Sequence, residues 1–147
     1  MDAPKRNLLF SRQPVMQQTL KDCSSMTAAC VSELMNARTA FHKLHLKITG
    51  PGSYAAHAAL NEIYDALPGH ADTLAEQYQG ATCELLSYVE ITPRTLNTKE
   101  EGIAYAKELK AMICELQEYM CYSEIVNDLD TAKSSINSLM YKLTFLS

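Results

Sequence analysis

Four stretches of the chain repeat apolar or small residues at alternating spacings of three and four, and this repeat limits the fold more than any other feature. In the first, Leu20, Cys23, Thr27, Cys30, Leu34, Ala37, Phe41 and Leu44 share one helical face for over three heptads. The second carries Leu60, Tyr64, Leu67, Ala71, Leu74 and Tyr78, and the third Ile103, Ala106, Ile113, Leu116 and Met120. The fourth carries Leu129, Ala132, Ile136, Leu139, Leu143 and Leu146. No alternating strand pattern competes, and five Gly with five Pro are too few for the turns of an all-β chain. A length of 147 residues makes one domain the expectation.

The breaks between these stretches set the topology. Pro14 opens the first helix, a position where proline is tolerated. Thr49-Gly50-Pro51-Gly52 stops it near Lys47. Ser53 is expected to cap the second helix and Gly80 to end it. Pro68-Gly69 interrupts the second stripe, yet its phase carries through, which predicts one kinked helix rather than two. Residues 81–97 form a long connection, in which ATCELLSYVE is expected to hold a short helix. Thr98 reads as the cap of the third helix, with Glu100 and Glu101 in its first turn. The first and last links are short and force antiparallel pairs. The middle link is long enough to return along the second helix, so helices two and three can run parallel. One long crossover in a four-helix bundle is the ferritin-like arrangement. The expected fold is therefore all-α: a ferritin-like four-helix bundle over residues 13–147, with one long crossover carrying a short helix between helices two and three. A flexible, mildly basic tail (Lys5, Arg6, Arg12) precedes it over residues 1–12.

A net charge of −4 gives the body no reason to hold nucleic acid or anionic lipid through its overall field. No apolar run approaches the roughly 18 residues that would span a membrane. The N-terminus lacks the apolar core of a signal peptide. The expectation is a cytoplasmic protein without membrane partners. Cys23 and Cys30 lie seven residues apart, as do Cys114 and Cys121. On a helix that is about 10 Å of rise, too far for a disulfide within either pair. With Cys83 the count is five, and buried free thiols in a reducing compartment are expected. A CxxC zinc pattern is absent.

The chemistry concentrates between Phe41 and Gly80. His45 ends the first helix, His57 lies just inside the second, and Asp72 and Glu76 share a face of the second at a spacing of four. Taken singly, a histidine at a helix end is ordinarily structural and an acid pair ordinarily faces solvent. Geometry gives the combination more weight. His57 and Asp72 are fifteen residues apart, roughly 22 Å along one helix, so they cannot hold one ion within a single chain. Two copies of the second helix, antiparallel about a two-fold axis near residues 65–67, would bring His57 of one beside Asp72 and Glu76 of the other. An isologous dimer makes that contact twice. Imidazole with carboxylates suits Fe(II), and also Zn or Mn.

At these residues the segment HLKITGPGSYAAHAALNEIYDALPGHADTLAEQ resembles the Dps family of mini-ferritins (DNA-binding proteins from starved cells). That family's pattern begins with His in H-W-x-x-x-G, has a second His twelve residues later and an acid four further on, and closes with D-x-x-A-E. His45, Gly50, His57 and Asp72-Thr73-Leu74-Ala75-Glu76 match at the family's spacings. The match covers the first two helices, about a third of the chain. DLDTAKSSINSLMYKL is loosely similar to the start of the family's fourth helix. The resemblance implies an iron-binding protein that oxidises Fe(II) with peroxide or O₂ at a site shared across a dimer interface. It also implies a homo-oligomer, up to a hollow twelve-subunit shell that stores the ferric product. Metal ligands carried over are His45, His57, Asp72 and Glu76, with Asn61 where the family has its acid. Leu46 stands where the family has Trp, which puts radical quenching there in question. The E-x-x-H signature of larger ferritins is absent. Three basic tail residues make DNA binding an unfavoured expectation. His42, three before His45, is read as solvent-facing, His70 receives no role, and Tyr54 and Tyr64 are read as packing residues. The competing reading is a non-catalytic ferritin-like helical oligomer, its metal site degraded by Asn61, acting in assembly or interaction.

Overall fold

The computed structural model describes residues 13–146, with side chains from Asp22 onward. The tail over residues 1–12 and the side chain of Leu20 lie outside the described residues. Four helices make up the structure: α1 (Gln13–Lys47), α2 (Ser53–Thr82), α3 (Lys99–Tyr119) and α4 (Ser123–Phe145). No strand occurs among the described residues.

The three-four stripes become the core. Every described member of the first stripe is buried, and the other three stripes join it in one cluster. Thr27 and His45 are the only buried polar or charged side chains among the described residues. The Thr27 hydroxyl is satisfied by the Cys23 carbonyl at 2.7 Å, a common helical back-bond. At the edges of the stripes, Tyr64 and Ile103 are half-buried and Leu146 is exposed, at the point where α4 ends.

Helix directions follow from contacts. Lys47 at the end of α1 bonds the Leu96 carbonyl and the Asn97 side chain, both at 3.1 Å, just before α3 begins. Gly102 in the first turn of α3 lies against Phe41 and Leu44 of α1 and Leu143 of α4. Gln77–Asp128, His70–Ser135 and Glu62–Lys142 run α2 against α4 in opposite senses. Thus α2 and α3 start at the same end and run parallel on one diagonal. The pairs α1/α2, α2/α4, α4/α3 and α3/α1 pack side by side.

Several local expectations need correction. The crossover, residues 83–98, contains no helix. With 30 residues, α2 is about 45 Å long at 1.5 Å per residue. The crossover must return along that length at no more than about 3.3–3.6 Å per residue. Two turns of helix would take up roughly 7 residues for about 10 Å and leave the remainder too short. The same hydrophobic residues instead act as pins. Leu86 and Leu96 are buried, and the Leu86 amide donates to the Gln79 side chain at 2.9 Å.

Ser53 is the first residue of α2, not its cap. Gly52 takes that place in the left-handed region (φ 75°), where a side chain would be strained. The second helix also runs past Gly80 and ends at Cys83, which itself adopts φ 56°. Thr98 does cap α3, accepting from the Glu101 amide at 3.1 Å, while Glu101 reaches back to the Asn97 amide. Pro68 sits inside an uninterrupted α2.

Cys23 and Cys30 are buried, and burial pushes the Cys30 thiol up to about 12. Cys83, Cys114 and Cys121 are exposed, against the expectation of burial. Tyr54 does not pack either: it is 86% exposed, outside the stripe on the first turn of α2.

Candidate functional site

The C-terminal end of α1 and the N-terminal half of α2 bring three histidines together. The tight Gly50–Gly52 turn, with both glycines at positive φ, folds α2 back so that positions 45 and 57 face each other. Their rings stack with centroids 3.6 Å apart and planes inclined by 24°. His45 Nδ1 lies 3.0 Å from the His57 carbonyl, and His57 Nδ1 lies 3.2 Å from the His45 carbonyl. A carbonyl only accepts, so both Nδ1 atoms donate and both rings carry their proton there. In the neutral ring this is the tautomer with its lone pair on Nε2. Metal-binding histidines are oriented in the same way, by donating the other ring N–H to a carbonyl or carboxylate. The His57 bond also satisfies one of the last carbonyls of α1, which a helix end otherwise leaves unpaired. His45 is 8% exposed, whereas His57 is open to solvent.

Around the pair, Tyr64 lies edge-on to His45 at 5.1 Å and stacks on His42 at 4.0 Å. His42 is therefore half-buried under a tyrosine, where solvent exposure was expected. The Tyr64 hydroxyl donates to Asn61 Oδ1 at 2.6 Å, and Asn61 Nδ2 donates to Asp65 Oδ2 at 2.9 Å. Both ends of the Asn61 amide are thus engaged, and the carboxylate it holds is that of Asp65, one turn beyond the place where an acid was expected. The sequence reading missed Asp65. The signal for it was its spacing of four from Asn61 and eight from His57 on one helical face.

Asp72 and Glu76 lie further along α2. Both are exposed, and neither has a hydrogen-bond or ion-pair partner among the described residues. The structure brings His45, His57 and Asn61 to one place and keeps Asp72 and Glu76 at another. Among the described residues, no group of three or more His, Cys, Asp or Glu side chains is placed to hold a metal ion. The helix itself sets this separation, through its rise of 1.5 Å per residue.

His70 is elsewhere. It contacts Ser135 of α4 at 2.9 Å, and burial holds its pKa below the ordinary value, partly opposed by Asp128. A separate polar cluster ties the crossover to the bundle. The buried Tyr105 donates to Glu33, and Arg94 of the crossover stands over the Tyr105 ring at 4.5 Å while pairing with Glu108. Burial and the adjacent Glu33 push the Tyr105 phenol well above its usual pKa.

Fold and site together define an all-helical four-helix bundle with a tethered histidine pair at one end of α1 and α2. No helix among the described residues is long and apolar enough to cross a membrane. A family model, DUF5856, described as a family of unknown function, matches residues 45–143, about two thirds of the chain. The chain belongs to that family, and the matched region begins at His45 and contains all five candidate ligands. No curated protein and no solved structure matches the chain.

Proposed function

We propose that this chain is a ferritin-like, Dps-like cytoplasmic protein that binds and oxidises Fe(II) at a site shared between two subunits. The observation that carries the reading is the reciprocal Nδ1 tether of His45 and His57, which presents Nε2 lone pairs at the spacing the mini-ferritin resemblance calls for. Two further features support it. The parallel course of α2 and α3 across one long crossover supports a ferritin-like arrangement. Asp72 and Glu76 are exposed on α2 and have no ion-pair partner among the described residues, as groups that serve a second subunit would.

In this reading His45 and His57 of one chain supply nitrogen ligands. Asp72 and Glu76 of the other supply oxygen ligands and balance charge, and the engaged amide of Asn61 orients Tyr64 and Asp65 beside them. Iron is the substrate: two Fe(II) ions give one electron each to peroxide, which takes up two protons and leaves as water. Zn and Mn are the other ions the donor set suits. Assembly is a dimer or a multiple of it, extending to a closed shell, and DNA is not a partner.

Optical measurement of Fe(II) oxidation in air tests the activity. Wild type should oxidise Fe(II) faster than a His57→Ala/Asp72→Ala double variant, and equal rates refute the reading. The rival, a non-catalytic ferritin-like oligomer used in assembly or interaction, is favoured by the locked amide of Asn61. It predicts those equal rates with an unchanged oligomeric state.

A further inference from the structure

The end of the bundle opposite the histidine pair gathers a different set of reactive groups. In the antiparallel pair α1/α3, Gly102 lies against Leu44, and the rings of Phe41 and Tyr105 are 5.4 Å apart. Each step back along α1 is matched by a step forward along α3. Carried to the far end, this register sets Cys23 of α1 level with the link between α3 and α4, where Cys121 and Tyr122 stand. Two contacts agree with it. The Tyr78 hydroxyl of α2 donates to the Cys23 thiol, and the Tyr78 ring meets Tyr122 edge-on at 6.4 Å. Cys121 is also near enough to Cys23 to push its pKa further up. The two thiols differ in access. Cys121 is exposed, whereas Cys23 is buried in the core. Residues 120–122 belong to no helix, so Cys121 can turn on its backbone without unwinding α3 or α4. The other exposed thiols are placed differently. Cys114 lies seven residues back, about 10 Å along α3. Cys83 turns its sulfur to the Gly80 carbonyl of its own helix at 3.8 Å.

We infer that Cys23 and Cys121 are a redox pair: hydrogen peroxide converts the two thiols into a disulfide that fastens the α3–α4 link to α1, and a thiol reductant releases it. Exposed Cys121 meets the oxidant first. Its sulfur attacks one peroxide oxygen, the O–O bond breaks, one water leaves, and Cys121 becomes a sulfenic acid. The Cys23 sulfur then displaces the hydroxyl, which takes up the Cys23 proton and leaves as a second water. The two thiols lose two electrons and two protons in all, and the peroxide is reduced to water. Disulfides of reducing compartments are usually transient and redox-sensing, and this one has that character. The inference stands apart from the iron reading, because the pair lies at the other end of the bundle from His45 and His57.

Peptide mapping of the full chain after hydrogen peroxide treatment, with remaining thiols blocked by iodoacetamide, tests it. The expected result is a Cys23–Cys121 disulfide within one chain, an intact mass lower by two hydrogens, and reversal by dithiothreitol. The bond closes a loop of about 100 residues, so the oxidised chain should melt on the order of 10 °C above the reduced one. Cys121→Ser, at an exposed position, should abolish both the link and the shift. Cys23→Ala should leave Cys121 as a sulfenic acid that dimedone labels.

A chain whose Cys121 stays reduced, or is oxidised to an acid without joining Cys23, overturns the inference. So does a bond from Cys121 to Cys83 or Cys114, and so does a bond found only between chains. If Cys23→Ala does not fold, the wild-type chain and Cys121→Ser decide the outcome by themselves.

Discussion

The two nitrogens of each site histidine have different duties in this account, and substitution can separate them. Asparagine places an amide N–H near the position of Nδ1 and has nothing at Nε2. Glutamine reaches the Nε2 position and lacks the Nδ1 donor. His57→Ala removes a ring stack and the donor to the His45 carbonyl, and it frees the opposing ring. An aromatic stack contributes about 0.5–1.5 kcal/mol and a neutral hydrogen bond about 0.5–1.5 kcal/mol. His57 is solvent-exposed, so the lower part of each range applies, and the loss should be about 1–2 kcal/mol. His45 is buried and its removal also leaves a cavity, so His45→Ala should cost about 2–3 kcal/mol. Because the two residues bond each other reciprocally, the double variant should cost less than the sum, with a coupling of about 1 kcal/mol. Urea unfolding followed by circular dichroism in EDTA measures these values. His57→Asn should recover part of the stability lost in His57→Ala and none of the Zn²⁺ or Fe(II) binding. Additivity of the two alanine variants within about 0.3 kcal/mol would refute the reciprocal tether. Full metal affinity in His57→Asn would refute the role of Nε2.

Two further outcomes test the frame around the site. His70 is held below its ordinary pKa in the fold, so the unfolded chain takes up its proton first as pH falls through about 6.5. Its contribution to stability is thus complete above that pH and declines below it. His70→Gln should flatten the fall in unfolding free energy between about pH 7 and 5 in urea titrations, and an unchanged slope would contradict the assignment. Gly69 lies inside α2 with open space where a Cβ would go, so Gly69→Ala should stabilise the metal-free chain by about 0.5–1 kcal/mol, read as a rise in melting temperature.

The helices were legible because burial imposes a period. A residue at the three-four spacing either faces the core or does not, and Leu34, Leu67, Ile113 and Ile136 all did. The parallel course of α2 and α3 followed from link lengths alone. What misled was local chemistry that tertiary distance overrides. The stretch ATCELLSYVE has helical character, but it must span the length of α2, and only an extended chain is long enough. The cap of α2 went to Gly52 rather than Ser53, because the turn needs positive φ at that residue.

Within the site, the histidines and acids were visible as residue types at meaningful spacings. The His45–His57 stack, the choice of Nδ1 as donor and the Asp65–Asn61–Tyr64 chain were not, since they depend on how α1 and α2 are set face to face. His42 shows the same limit: a spacing of three placed it near His45, but only packing against Tyr64 decided its exposure.

If one site is built from two chains, two defective chains can complement each other when mixed. A His57→Ala chain and an Asp72→Ala chain each spoil both sites of their own dimers. A mixed dimer pairs the intact His57 of one chain with the intact Asp72 of the other at one interface position. Mixing should therefore restore Fe(II) oxidation to about half the wild-type rate per mixed dimer, because one of two equivalent sites is whole. Activity that stays at the level of the separate variants, with mixed dimers present by native mass spectrometry, would contradict it.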